Sequence, residues 1–157
     1  MKIRLITVGK TVEPYIRTGL ELYCGRIKHY ISFEMEEIPD IRQTASLSQA
    51  QIKQKEGLAI LKAVRPGECV LLLDERGKSF SSLEWARELE NRMAHLSKDL
   101  TFVIGGPYGF SEEVYDRADG KISLSRMTFS HQMVRLIFVE QIYRAMTIIK
   151  GEPYHHE

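Results

Sequence analysis

Two short stretches of this sequence, CVLLL at 69–73 and LTFVI at 100–104, are apolar at nearly every position. A strand with one face in water alternates apolar and polar residues, whereas a strand covered on both faces is apolar almost throughout. Both faces of a sheet are covered when parallel strands are joined by helices that pack on either side. These two stretches therefore constrain the chain to an α/β arrangement more strongly than any other feature.

The rest of the chain alternates strand and helix patterns, as such a sheet requires. Three further stretches resemble strands: Lys2–Val8, Ser32–Ile38 and 121–125. Asp74 is expected to end the strand at 69–73, before a turn ERGK. Helical spacing of apolar residues covers about 13–29, 48–64, 81–96 and 131–149, with a short helix after Ser111. We expect one domain over 1–157, a mainly parallel sheet with helices on both faces.

The last predicted helix is apolar around nearly its whole circumference. Such a helix is buried from several sides. In a domain this small, we expect one of those sides to face a second copy of the chain. The alternative is deep burial inside a single chain.

Composition excludes several classes of protein. Of the residues, 43% are hydrophobic and 27% charged, which is ordinary for a globular protein, and no stretch is long enough to span a bilayer. Cys24 and Cys69 have no spacing typical of a metal site or a disulfide framework, so we expect two reduced cysteines in a cytoplasmic protein without a metal. A net charge of +1 neither indicates nor excludes an RNA partner.

The stretch VIGGPYGFSE at 103–112 resembles a phosphate-binding loop, but its details argue against one. A Walker loop requires Lys before Ser or Thr after its last glycine, and here Gly109 is followed by Phe110 and Ser111. A dinucleotide loop requires a different glycine spacing after the first strand. Ligands of parallel sheets bind beyond the carboxyl ends of strands. We therefore expect the loops after Leu73, Ile104 and Ser125 to share one ligand.

Several motifs together carry a family resemblance. They are KIRLITVGK at the start, LLLDERGK at 71–78, VIGGPYGFS at 103–111, SLSRMTFSHQMVRLIFVEQIYRA at 123–145 and GEPYHHE at the end. In this order they closely resemble the ribosomal RNA large subunit methyltransferase H family, within the SPOUT superfamily of S-adenosylmethionine-dependent methyltransferases. The resemblance spans the whole chain. It implies a homodimer, and a deep trefoil knot that holds the cofactor within about 70–157.

The resemblance also implies an activity, the methylation of N3 of a pseudouridine in the helix 69 loop of 23S rRNA on assembled ribosomes. It implies cofactor contacts from eight residues: Leu73, Gly105, Leu124, Ser125, Arg126, Met127, Thr128 and Phe129. Gly105 is expected to leave room for the cofactor, whereas Gly106 and Gly109 turn the chain. For Met127 and Phe129, ordinary core packing is an equal alternative.

The C-terminal region supplies the candidates for chemistry and RNA binding. His155 and His156 are candidate bases because imidazole titrates near neutral pH, and Tyr154 is a candidate for stacking on a splayed base. The candidates for rRNA phosphate contacts are Arg126, Arg135, Arg144 and Lys150. For Arg135 and Arg144, solvated helix faces or dimer salt bridges are the alternative.

Two other functions are compatible with the sequence. One is a SPOUT methyltransferase that acts on tRNA. The other is a non-catalytic ribosome-associated assembly factor, although a pure binding protein has no use for the glycine loop and SLSRMTF. The ribosomal target is favoured only through the family resemblance.

Overall fold

A computed structural model describes residues 1–42 and 44–156 of the chain. The strands within these residues are β1 Lys2–Val8, β2 Ser32–Ile38, β3 Cys69–Ser79, β4 Leu100–Ile104 and β5 Gly120–Ser123. The α-helices are α1 Pro14–Ile27, α2 Gln49–Ala63, α3 Ser82–His95, α4 Glu112–Arg117 and α5 Met133–Ile149. The strands form one sheet in the order β2-β1-β4-β3-β5, and every neighbouring pair is parallel.

Both faces of the sheet are covered, as the apolar strands predicted. Successive residues of a strand point to opposite faces. One apolar layer includes Leu5, Leu71 and Phe102, packed with residues of α1, α3 and α5. The next residue along each strand belongs to the other layer, with residues of α2 and α4: Ile6, Leu72 and Val103. The predicted fold class is confirmed.

Serine side chains begin three of the helices. Ser48 caps α2 and Ser81 caps α3, and each forms a reciprocal capping box with the residue three positions later, Gln51 and Glu84. Ser111 caps α4 by accepting the backbone N–H of the third residue of that helix. Because Ser111 also ends the glycine loop, the cap fixes where that loop stops.

The end of β3 differs from the prediction. The strand does not stop at Asp74 but continues to Ser79, with an irregularity between Leu73 and Lys78. Both Leu73 and Lys78 pair with Ile122 of β5. A side chain at Gly77 would lie 2.6 Å from the backbone nitrogen of Ile122, so only glycine allows this close approach. The strand prediction at 121–125 is also shifted, because the structure ends β5 at Ser123.

Helix α5 is the most apolar helix, and it lies between α1 and α3. Phe138, Val139 and Ile142 are completely buried. Leu136 and Ile137 remain partly exposed, so the chain itself does not cover the whole circumference. Within residues 1–42 and 44–156, no helix has both the length and the apolar character needed to cross a membrane. The C-terminal knot stays a prediction.

Candidate functional site

Three loops enclose a cavity of about 850 Å³ at one edge of the sheet. The first is the irregular segment of β3 after Leu73, and the other two follow β4 and β5. The three lie side by side because β3 lies between the other two strands. The cavity wall includes seven of the eight residues predicted to bind a cofactor: Leu73, Gly105, Leu124, Ser125, Met127, Thr128 and Phe129. Arg126 lies exposed on the same loop but is not part of the wall. The site is thus a shared pocket of three loops.

The loop after β4 contains three glycines, and glycine is required at each position for a different reason. A Cβ on Gly105 would lie 2.9 Å from the ring of Phe110, so the space beside Gly105 is filled by that ring. A Cβ on Gly106 would lie 2.6 Å from Oε1 of Glu56, and Oε2 would be closer still. Gly109 has a φ of +83°, which favours glycine in a turn. Only Gly109 is the turn glycine that the sequence led us to expect, and Gly105 makes room first for Phe110.

A carboxylate in the cavity wall is held ionised by hydrogen bonds from the irregular segment of β3 and from α4. Asp74 accepts the backbone N–H of Arg76 at 2.9 Å and the hydroxyl of Tyr115. The hydroxyl of Tyr115 accepts in turn from the Arg76 guanidinium at 2.5 Å. Burial by itself raises the pKa of Asp74, but these hydrogen bonds outweigh it and the pKa is lowered. The cavity wall therefore holds an ionised carboxylate whose charge is partly offset by the Arg76 guanidinium, 3.5 Å away, and the sequence signalled it only as the end of a strand.

The loop after β5 is shaped by its own serines. The hydroxyl of Ser123 donates to the carbonyl of Ser125 at 3.0 Å, and the hydroxyl of Ser125 accepts the backbone N–H of Met127 at 3.0 Å. The side chain of Met127 is 77% exposed, so core packing does not explain this residue. Phe129 is partly buried in the cavity wall. An exposed apolar side chain at a cavity mouth is available to contact a ligand.

Comparison with known proteins identifies the family. A family model described as "Predicted SPOUT methyltransferase" matches residues 1–155. The chain belongs to the SPOUT methyltransferase family. This confirms the resemblance drawn from the motifs, and membership of a methyltransferase family implies a methyl donor.

Curated relatives match over their entire length. Proteins named ribosomal RNA large subunit methyltransferase H from Bacteroides fragilis and Parabacteroides distasonis are each 59% identical to this chain over 157 residues. The relative of that name from Flavobacterium johnsoniae is 52% identical. Each alignment covers 100% of both chains.

A solved structure shares the fold of this chain. The crystal structure of a probable methyltransferase from Bordetella pertussis Tohama I has a TM-score of 0.57 to this chain. It covers 92% of this chain and 93% of its own, at 11% sequence identity, and so the likeness concerns the fold alone.

Arg135 does not have the exposed position that RNA binding requires. It is 1% exposed, and its guanidinium donates to the carbonyls of Val8 and Gly9 at 2.8 and 2.9 Å and to the hydroxyl of Thr11 at 2.9 Å. The carboxylate of Glu37 lies 3.4 Å away. The prediction that Arg135 contacts rRNA phosphates is therefore wrong, since its donors are used inside the protein. It fastens α5 to the chain that follows β1.

The C-terminal tail packs against α5 through an aromatic and charged cluster. The phenol of Tyr154 donates to Glu140 at 3.0 Å, and its ring lies 4.7 Å from that of Tyr143. The guanidinium of Arg144 lies over the Tyr154 ring at 4.8 Å and 3.0 Å from Nδ1 of His155. Because a guanidinium only donates, Nδ1 of His155 is the acceptor in this contact. The tail is therefore ordered in the chain itself.

The tail does not reach the cavity of its own chain. Val134, near the start of α5, contributes to the cavity wall, whereas Arg144 lies about 15 Å further along the helix. None of the three tail residues Tyr154, His155 and His156 belongs to the wall. Burial and hydrogen bonds to Tyr23 and Glu140 raise the pKa of Tyr154, so its phenol stays protonated. Lys150 and His156 are exposed.

Metal ligands are not gathered anywhere in the part of the chain that the structure describes. No group of three or more His, Cys, Asp or Glu side chains within 1–42 and 44–156 is placed to hold a metal ion. Burial raises the pKa of Cys24 to about 11, which keeps its thiol protonated.

Proposed function

We propose that this protein is an S-adenosylmethionine-dependent methyltransferase that methylates N3 of a pseudouridine in the helix 69 loop of 23S rRNA on assembled ribosomes. The observation that carries the proposal is the cavity whose wall contains seven of the eight expected cofactor residues. The full-length match to relatives named ribosomal RNA large subunit methyltransferase H supports the choice of RNA. We expect the protein to act in the cytoplasm, where ribosomes are found.

The cavity fits S-adenosylmethionine in size and chemistry. Leu73, Leu124 and Phe129 offer apolar surface for a flat adenine, and the glycine loop offers backbone donors and acceptors. The ionised Asp74 is compatible with a ligand that carries positive charge, although the Arg76 guanidinium, 3.5 Å away, offsets part of its charge. When bound, S-adenosylmethionine supplies a methyl group attached to a positively charged sulfur. The three loops hold this ligand in one orientation, which brings donor and acceptor to reacting distance.

Exposed cations near the site are proposed to contact rRNA phosphates. Arg126 lies exposed on the loop after β5, beside the cavity mouth, and Lys150 is exposed where α5 ends. Arg144 is partly exposed, but Glu140 lies 2.6 Å from its guanidinium and neutralises part of its charge. We therefore expect Arg126 to matter most among these three, because it combines exposure with proximity to the reacting ligand.

A homodimer is supported by apolar side chains that this chain leaves exposed. Val12, Tyr15 and Leu22 are 64%, 61% and 49% exposed. Tyr15 and Leu22 are seven residues apart on α1 and therefore share a face of that helix. Because the tail does not reach its own cavity, we propose that His155 and His156 act beside the cavity of a second copy. There, His156 can take the proton from N3 of the pseudouridine, and His155 can do so once its Nδ1 is released from Arg144.

Methyl transfer to ribosomes tests the proposal. Ribosomes that carry the helix 69 pseudouridines without the methyl group are incubated with the protein and radiolabelled S-adenosylmethionine. We expect label in 23S rRNA at one pseudouridine, located by mass spectrometry. Label in tRNA alone would show a tRNA methyltransferase instead. Ribosome binding without affinity for S-adenosylmethionine would show an assembly factor and reject the proposal.

A further inference from the structure

Helix α2 supports the glycine loop from beneath at two consecutive residues. Glu56 is 7% exposed, and its carboxylate lies so close to Gly106 that an added Cβ there would be 2.6 Å from Oε1. Gly57 lies against Ser111, and an added Cβ would be 3.0 Å from the Cβ of that serine. Both ends of the loop, Gly106 and Ser111, therefore rest on α2.

The Glu56 carboxylate lacks the full set of hydrogen bonds that a buried structural carboxylate would have. Its Oε1 is buried and has no hydrogen-bond partner. Burial and the negative charge of Asp40 raise the pKa of Glu56, and a hydrogen bond with the backbone of Gly106 opposes this rise. A buried acceptor without a donor destabilises a folded protein. Stability alone therefore gives no reason for a carboxylate at this position.

Glu56 lies against a residue of the cavity wall, Gly106. Gly105, Gly106 and Tyr108 belong to the cavity wall, and so does Lys53, one turn before Glu56 on α2. Between the buried ends of the loop, Pro107, Tyr108 and Gly109 are exposed, so the position of the first half of the loop depends on the support at Gly106. When that support is lost this half of the loop can shift, and small displacements of binding groups weaken binding.

We propose that Glu56 is a positioning residue, whose carboxylate holds the Gly106 amide and thereby sets the glycine loop at the distance from which its backbone binds the methyl donor. The inference rests on the proposed function. It deepens that function by assigning part of the donor affinity to a side chain that lies behind the cavity wall. Glu56 itself does not touch the donor.

Donor binding by matched variants tests the role. S-adenosylmethionine is titrated calorimetrically into the wild type, Glu56→Ala, Glu56→Gln and Lys55→Ala, at a temperature where circular dichroism shows each variant to be folded. Lys55 is the control because it is exposed on the same helix. We expect Glu56→Ala to weaken binding about tenfold or more, as for loss of a hydrogen bond to a charged group. Glu56→Gln keeps an acceptor oxygen and should remain within about threefold, as should Lys55→Ala.

Steady-state kinetics separate positioning from a general structural effect. Glu56→Ala should raise KM for S-adenosylmethionine about tenfold, with a smaller change in kcat once the donor is saturating. Unchanged donor affinity in a folded Glu56→Ala protein would overturn the inference, as would a Glu56→Gln protein as weak as Glu56→Ala. If the wild type does not bind S-adenosylmethionine, the proposed function fails. If the wild type binds and Glu56→Ala binds equally well, only the inference about Glu56 fails.

Discussion

Tyr154 donates a hydrogen bond to Glu140 across 3.0 Å, and this contact joins the last residues of the chain to the middle of α5. The same carboxylate lies 2.6 Å from Arg144, whose guanidinium covers the Tyr154 ring. The tail is thus built into the helix that also begins at the cavity. Its order does not depend on RNA, which leaves its side chains prearranged for a partner.

Removal of the tail should separate RNA methylation from donor binding. A chain that ends at Gly151 loses Tyr154, His155 and His156 but keeps the cavity wall. We expect its affinity for S-adenosylmethionine to stay within about twofold by calorimetry. Methyl transfer to ribosomes should fall about tenfold or more, since one stacked base contributes about 1–3 kcal/mol.

Single changes in the tail refine this result. Tyr154→Phe keeps the aromatic ring and removes only the hydroxyl that binds Glu140. We expect it to retain most of the activity if stacking is the role of Tyr154. A truncated chain that methylates ribosomes normally would contradict the proposed role of the tail.

Gly105 offers a test of what its missing side chain allows. A Cβ there would meet the ring of Phe110 at 2.9 Å, so Gly105→Ala should force that buried ring to shift. Overpacking of this kind destabilises a protein by about 1–3 kcal/mol. Urea unfolding should show this loss. The double variant Gly105→Ala/Phe110→Leu should recover part of the lost stability, because leucine is smaller than phenylalanine. If instead Gly105→Ala leaves stability unchanged and removes only donor binding, then the glycine serves the ligand and not Phe110.

Replacement by alanine should strongly lower the stability of the protein at Arg135 and leave it nearly unchanged at Lys150. Arg135→Ala removes the donors for Val8 and Gly9 and leaves the Glu37 carboxylate without its cation. Leaving buried acceptors without their donor costs about 1–3 kcal/mol each, so the free energy of unfolding in urea should fall by about 2 kcal/mol or more. Lys150→Ala changes an exposed residue and should stay within about 0.5 kcal/mol. A stable Arg135→Ala protein would return Arg135 to the candidates for RNA binding.

Local patterns predicted most of the fold because apolar periodicity follows directly from burial. β1, β2 and β4 have the predicted bounds, and the helices differ by one or two residues. The extension of β3 beyond Leu73 was missed because DERGKS carries no apolar pattern. Its pairing depends on Gly77 meeting Ile122, a contact between distant parts of the chain that no local window contains.

The cavity was predicted less completely than the sheet. Convergence of the three loops follows from parallel strands, and the sequence gives their glycines and apolar residues. The burial of Arg135 could not be inferred, because one arginine on an apolar helix has the same pattern whether it faces solvent or backbone carbonyls. Glu56 and Tyr115 were also missed, since each acts through a residue far away in sequence, Gly106 and Asp74.

The pH dependence of stability should reveal the buried Glu56 carboxylate. Burial and Asp40 raise its pKa above the ordinary value of 4.5, so the folded protein binds this proton more tightly than the unfolded chain. The contribution of Glu56 to stability is therefore fully present below about pH 4.5 and is lost as the pH rises through the folded pKa. Glu56→Gln has no proton to lose. We expect its free energy of unfolding to exceed that of the wild type at pH 7, with the difference vanishing toward pH 4.

Glu34 provides the matched control with the opposite sign. The hydrogen bond from Lys2 lowers the pKa of Glu34 below 4.5, so this carboxylate stabilises the protein above that pH and loses its effect in acid. The wild type should therefore exceed Glu34→Gln in stability at pH 7, by a small amount because the Glu34 side chain is 39% exposed and solvent screens its charge. Urea unfolding of the wild type and both variants at pH 4, 5.5 and 7 gives the comparison. A pH-independent difference between Glu56→Gln and the wild type would show that Glu56 titrates alike in the folded and unfolded chains, and would remove the electrostatic part of the argument for its burial.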